Sequence, residues 1–127
     1  DEISDPGNLM NIAIKKARSG IYTKKETEGI SESRLDRFFD KTDGHYQVKK
    51  FLRENCVFAI HNFLKDPPFA KMDLISCRNV LIYFEPILQK KALGKCHYAL
   101  NDKAILWLGK AETTGNASEL FNGFGKR

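Results

Sequence analysis

Long apolar runs are missing from this 127-residue sequence. No stretch approaches the roughly 18 apolar residues of a membrane helix. The opening DEISDPGNLM has neither the basic start nor the apolar block of a signal peptide. Both absences lead to the expectation of a cytoplasmic chain with no membrane insertion. Cysteine is scarce: Cys56, Cys77 and Cys96 are odd in number, widely spaced and without a Cys-x-x-Cys pair. That pattern argues against a disulfide framework and against a structural zinc site. His45, His61 and His97 do not supply a complementary ligand spacing, so no metal is expected. Internal repeats and low-complexity tracts are absent as well.

What is present is the composition of an ordinary globular protein, 42% hydrophobic and 29% charged, long enough for a single core. The 21 Lys and Arg exceed the 16 Asp and Glu by five, but the two signs are interspersed. A solvated mixed surface is expected, and no nucleic-acid partner.

Along the chain, Leu9, Ala13, Lys16 and Ala17 give a partly apolar face to a helix from about Leu9 to Ser19, which Gly20 stops. GISESRLDRFFD predicts a second short helix, capped by Ser31 or Ser33, with Leu35, Phe38 and Phe39 as its buried stripe. In GHYQVKKFLRENCVFAIHNFL, Val48, Phe51 and Leu52 suit a helix, whereas Tyr46, Val48 and Leu52 alternate. A hairpin is the preferred reading, with Asn55 in its turn and Val57 to Ile60 as its second strand. KDPPFAK is a loop, because Pro67 and Pro68 cannot donate to a ladder.

Met72 to Ser76 reads as a strand covered on both faces. Pro86 then suits the first turn of a helix running to about Leu100, with Leu88, Ala92, Cys96 and Ala99 inside and Lys90, Lys91 and Lys95 mostly outside. NDKAILWLGK supplies a turn and a further apolar strand. Strand, helix, strand is one crossover unit of an α/β sheet. Polar Cys77, Arg78 and Asn79 interrupt DLISCRNVLIYFEP at the carboxyl end of the first of these strands, where open α/β sheets bind ligands. By themselves they read equally as an Arg78 ion pair and an Asn79 turn cap.

DLISCRNVLIYFEP closely resembles the signature D-x-I-x-C-R-N-V-x-I-Y-F of the CheR family, the methyltransferases of chemotaxis receptor glutamates. ARSGIY at 17–22, RLDRFF at 34–39, VFAIHNFL at 57–64 and LWLGKAET at 106–113 follow the family's order at similar spacing. The resemblance implies an α/β fold: a partial Rossmann-like methyltransferase sheet with a small antiparallel hairpin subdomain inserted at 20–56. It implies S-adenosylmethionine as cofactor and transfer of its methyl group to glutamate side chains of chemoreceptor helices.

By position, the resemblance sets Asn62 and Phe63 beside the adenosine and Cys77, Arg78 and Asn79 along the same cleft. Tyr83 would stand near the reacting methyl and orient the carboxylate, with Arg78 as the other catalytic candidate. Alternatives stay open: Tyr83 as a core aromatic, Asn62 as a turn residue, and Glu112 of the Gly109-x-x-Glu112 segment as either structural or cleft-lining.

The family's glycine-containing cofactor loop has no counterpart in the sequence. The position of its ribose-binding acid is Asn8, and Asp1, Glu2 and Asp5 do not align with it. A final strand is also missing. The expectation is a fragment or reduced relative that binds cofactor weakly alone and associates through an open sheet edge. The alternative function is a non-catalytic interaction module of a bacterial two-component signalling protein.

Overall fold

The structure is a computed structural model that describes residues 6–123, with side chains throughout except at 6–8 and 116. The readings made on Asp1, Glu2, Asp5, the Asn8 side chain and the last four residues lie outside that range. The chain divides into two compact units, one ending at Ile60 and the other beginning at His61. No helix among the described residues is long and apolar enough to cross a membrane.

In the first unit, helix α1 (Pro6–Ser19) ends where Gly20 turns into the left-handed region at φ +66, its N–H still donating to Lys16 O at 3.0 Å. Of the apolar face expected on α1, Ala17 is half-buried, as is Ile14, while Leu9 and Ala13 are exposed. Strand β1 (Ile21–Thr23) follows, and then α2 (Glu32–Phe38), whose cap is Ser31: its side chain accepts from the N–H of Arg34. Leu35, Phe38 and Phe39 are all half-buried, but Phe39 already belongs to β2 (Phe39–Thr42).

The hairpin sits one turn earlier than the sequence suggests. Strand β2 joins β3 (His45–Val48) through Asp43 and Gly44, both at positive φ (34 and 79), as a tight two-residue turn demands. Phe39 faces Val48 and Thr42 faces His45. Strand β1 pairs antiparallel on the other side of β3, giving the order β1-β3-β2. Both edges of β3 are thereby taken, so residues 57–60 have no ladder position beside it. They are irregular and exposed, and Asn55 instead follows the short helix α3 (Lys50–Arg53), its amide donating to Phe51 O at 2.6 Å.

The second unit carries the expected crossover. Strand β4 (Met72–Cys77), helix α4 (Pro86–Ala99) and strand β5 (Leu100–Leu108) follow one another, with Pro86 in the first turn of the helix and β5 parallel to β4. Ile75 lies beside Leu106 and Cys77 beside Leu108, and this face packs on the core of Leu81, Ala92, Leu93 and Ala117. Coverage of both faces does not hold. The alternate residues Leu74, Ser76, Ile105 and Trp107 are exposed, Leu74 to 57%, because the described elements of this unit cover one side of the two strands only. Lys95 also departs from its expected outward position. It is half-buried, and its ammonium donates to the carbonyl oxygens of Leu64 and Asp66.

Candidate functional site at the carboxyl ends of β4 and β5

Parallel strands end together, so the residues that follow β4 and β5 meet at one edge of the sheet. After Cys77 the chain passes Arg78 and reaches Asn79 at φ +60, a left-handed conformation that asparagine tolerates better than most residues. A 3-10 turn, Leu81–Tyr83, then leads into α4. Leu81 is buried and anchors that turn in the core, while Ile82 and Tyr83 point outward.

After β5 comes Gly109, which admits no side chain. A Cβ there would stand 2.5 Å from Asn79 Oδ1 and 2.7 Å from Glu112 Oε1. The close approach brings Glu112 under the β4 turn. Its Oε1 accepts from the N–H groups of Asn79 (2.6 Å) and Gly109 (2.8 Å), and its Oε2 from those of Val80 (3.0 Å) and Ile82 (3.2 Å). Glu112 is only 5% exposed. Burial pushes its carboxyl up, but the hydrogen bonds from Gly109, Asn79 and the 81–82 turn pull it down by more, so it sits below the ordinary carboxylate range.

Arg78 is exposed, with its guanidinium 4.4 Å from the centre of the Trp107 ring. It therefore stacks on an aromatic face, and the ion pair that the sequence left open is not the contact observed. A groove of about 1040 Å³ runs along β5, and Arg78, Trp107, Gly109 and Glu112 are among the residues that line it.

The structure thus brings Cys77, Arg78, Asn79, Gly109 and Glu112 together. Tyr83 lies at the far end of the same turn and is 80% exposed, which removes the reading of it as a core aromatic. Cys77 faces the core, where burial, and secondarily the charge of Glu112, push its thiol up. Asn62 and Phe63 are engaged locally. The Asn62 side-chain oxygen accepts from the N–H groups of Leu64 and Lys65, both at 3.1 Å, and its own N–H donates to Asp66 at 2.6 Å. Phe63 packs against the core cluster. The full hydrogen-bonding of Glu112 is what the sequence leaves undecided; an acid three residues beyond a strand-ending glycine is the signal for it. No group of three or more His, Cys, Asp or Glu among the described residues is arranged to hold a metal ion.

A family model described as CheR methyltransferase, SAM binding domain, matches residues 9–126. An "uncharacterized 104.1 kDa protein in hypE 3'region" of Rhodobacter capsulatus is 38% identical over 109 residues, covering 86% of this chain and 11% of that protein. Chemotaxis protein methyltransferase 2 of Vibrio cholerae is 30% identical over 113 residues, 86% of this chain and 39% of the relative. Chemotaxis protein methyltransferase Cher2 of Pseudomonas putida is 38% identical over 108 residues, 83% and 39% respectively. The chain thus spans about two-fifths of the length of these chemotaxis methyltransferases.

Proposed function

The chain belongs to the CheR methyltransferase family, and on that premise we propose that it is part of a protein-glutamate O-methyltransferase whose substrates are chemoreceptor side chains. The observation that carries this reading is the sheet edge itself, where an exposed guanidinium, an exposed amide and an exposed tyrosine follow one parallel strand beside a bare glycine backbone. The donor set suits one wall of an S-adenosylmethionine site. Arg78, which stacks on Trp107, is chemically fitted to the cofactor's carboxylate, and the Asn79 amide to its polar groups. Asn62 and Phe63 would contribute through the 62–66 turn they build, since the Asn62 oxygen is already used within it.

When bound, S-adenosylmethionine supplies an electrophilic methyl group on a sulfonium. The attacking glutamate is already anionic at neutral pH, so this chain needs to supply no general base. Its residues have to hold the two reactants in line and keep water out. Tyr83, exposed at the end of its turn, would direct its hydroxyl to the incoming carboxylate, while Arg78 would hold the cofactor side. Segment 20–56, with its own three-stranded sheet, is read as the inserted subdomain.

The test is methyl transfer from labelled S-adenosylmethionine to a receptor cytoplasmic fragment by the polypeptide that carries this segment. Label released as methanol by mild alkali identifies a carboxyl ester and supports the reading. Alkali-stable label, or none with receptor fragments that present accessible glutamates, sinks it in favour of a non-catalytic module.

A further inference from the structure

The turn that presents Asn79 and Tyr83 is gripped from two sides, by a carboxylate that spends both oxygens on its N–H groups and by an amide that spends both its N–H donors on its carbonyls. On its N–H side, Glu112 fills both carboxylate oxygens with two backbone donors each. On its carbonyl side, the Gln89 amide of α4 donates to Leu81 O at 2.9 Å and Phe84 O at 3.0 Å. The turn closes on itself as well, with Tyr83 N–H donating to Val80 O at 3.1 Å and Phe84 N–H to Leu81 O at 3.0 Å. Asn79 keeps its positive φ between these restraints, and a non-glycine residue stays in that region only where its surroundings hold it.

We infer that Glu112 and Gln89 are positioning residues for the proposed transfer: together they fix the backbone of 79–84 and so set where the Asn79 and Tyr83 side chains stand. This rests on the reading of the sheet edge as the transfer site. Glu112 touches neither reactant, because it is buried and each of its oxygens already accepts two hydrogen bonds. The chemistry of the pair is complementary and cannot be exchanged. A carboxylate accepts at both ends, which four inward-pointing N–H groups require, whereas an amide must turn a donor toward two of them. Gln89 serves carbonyls, for which only a donor works. The titratable group facing Glu112 from β4 is Cys77, whose thiol stays protonated at neutral pH because its pKa is raised.

The test uses the polypeptide that carries this segment, with Glu112→Gln and Gln89→Leu as variants. Two readouts are taken at a temperature where each variant is folded: the backbone amide resonances, and kcat for methyl transfer beside the affinity for S-adenosylhomocysteine. The expected result for Glu112→Gln is upfield movement of at least two of the Asn79, Val80, Ile82 and Gly109 amide protons. With it, kcat falls about ten-fold or more, and affinity falls less. Gln89→Leu lowers kcat in the same direction without moving the Gly109 amide. If Glu112→Gln does not fold, Gln89→Leu carries the test alone. Folded variants with wild-type kcat overturn the positioning role. Unmoved amide resonances in Glu112→Gln overturn the grip itself, whatever the reaction proves to be. A wild type without transfer overturns the functional reading and the positioning role with it, and the amide result then says whether the grip stands as architecture.

Discussion

The two units of this chain are held by different means. In the first, Gly20 and Thr27 are the only buried residues among those described, and order comes from local devices: a serine cap, a two-residue turn at Asp43 and Gly44, and a middle strand paired on both sides. Its ion pairs, Lys16 with Glu26 and Lys50 with Glu54, are exposed. In the second, Leu81, Ala92, Leu93 and Ala117 form a buried cluster against one face of two parallel strands, Cys96 and Ala99 are buried as well, and a buried carboxylate fastens the loops beyond the strands. Precision in this fold therefore follows burial. Short antiparallel hydrogen bonding gives shape with little of it, while a packed core beside a fully satisfied carboxylate can hold exposed side chains in fixed positions.

A pair of truncations gives the largest expected gap between the units. Leu93→Ala removes a side chain only 1% exposed and should cost about 2–5 kcal/mol, whereas half-buried Leu35→Ala in the first unit should cost clearly less. Denaturant titrations giving equal losses would erase the contrast. Glycine substitution comes next. Gly109→Ala forces a methyl against Asn79 and Glu112 and should cost about 1–3 kcal/mol, while Gly29, with nothing within 4 Å of where a methyl would stand, should accept alanine within about 0.5 kcal/mol.

How far the sequence can be read follows the same division. The β4, α4, β5 crossover is readable because two apolar runs flank a helix begun by Pro86, signals that burial then enforces. The open face of Leu74, Ile105 and Trp107 is not, since an apolar strand does not say how many of its faces are covered. In the first unit the apolar pattern draws the hairpin onto Asn55, although Asp43-Gly44 is the stronger turn pair. Three-residue β1 forms only because β3 offers it an edge. The stretch from Val57 to Ile60 has strand composition without a partner. At the site, Cys77, Arg78 and Asn79 can be found from their interruption of an apolar run. The partners of Glu112 cannot, because three of its four donors lie 30 to 33 residues earlier.

Thiol chemistry gives a milder separation. Exposed Cys56 should be alkylated rapidly at pH 8, whereas Cys96, buried and with its thiol pushed up to about 12, should react only through unfolding. Burial is the main cause of that rise, with Cys77 contributing second. Since the folded-state value lies above the unfolded one, the associated stability is complete below about pH 8.5 and is lost as pH climbs toward the folded value. Glu112 works in the opposite sense: its value is depressed on folding, so its contribution is present above about pH 4.3 and disappears as pH falls through the lower folded value. The smallest effect belongs to the exposed pair in the first unit, where Glu26→Gln should leave the denaturation midpoint nearly unchanged at physiological salt.

If the loops beyond β4 and β5 form the cofactor-facing wall, a bound cofactor product must register there and not in the antiparallel sheet. Amide chemical-shift mapping with S-adenosylhomocysteine on the polypeptide that carries this segment reads that difference residue by residue. The largest perturbations are expected at 78–83 and 109–113, with the sheet at 21–48 nearly silent. Perturbations confined to 21–48, or saturable binding that leaves 78–83 and 109–113 unmoved, would contradict the assignment of this wall.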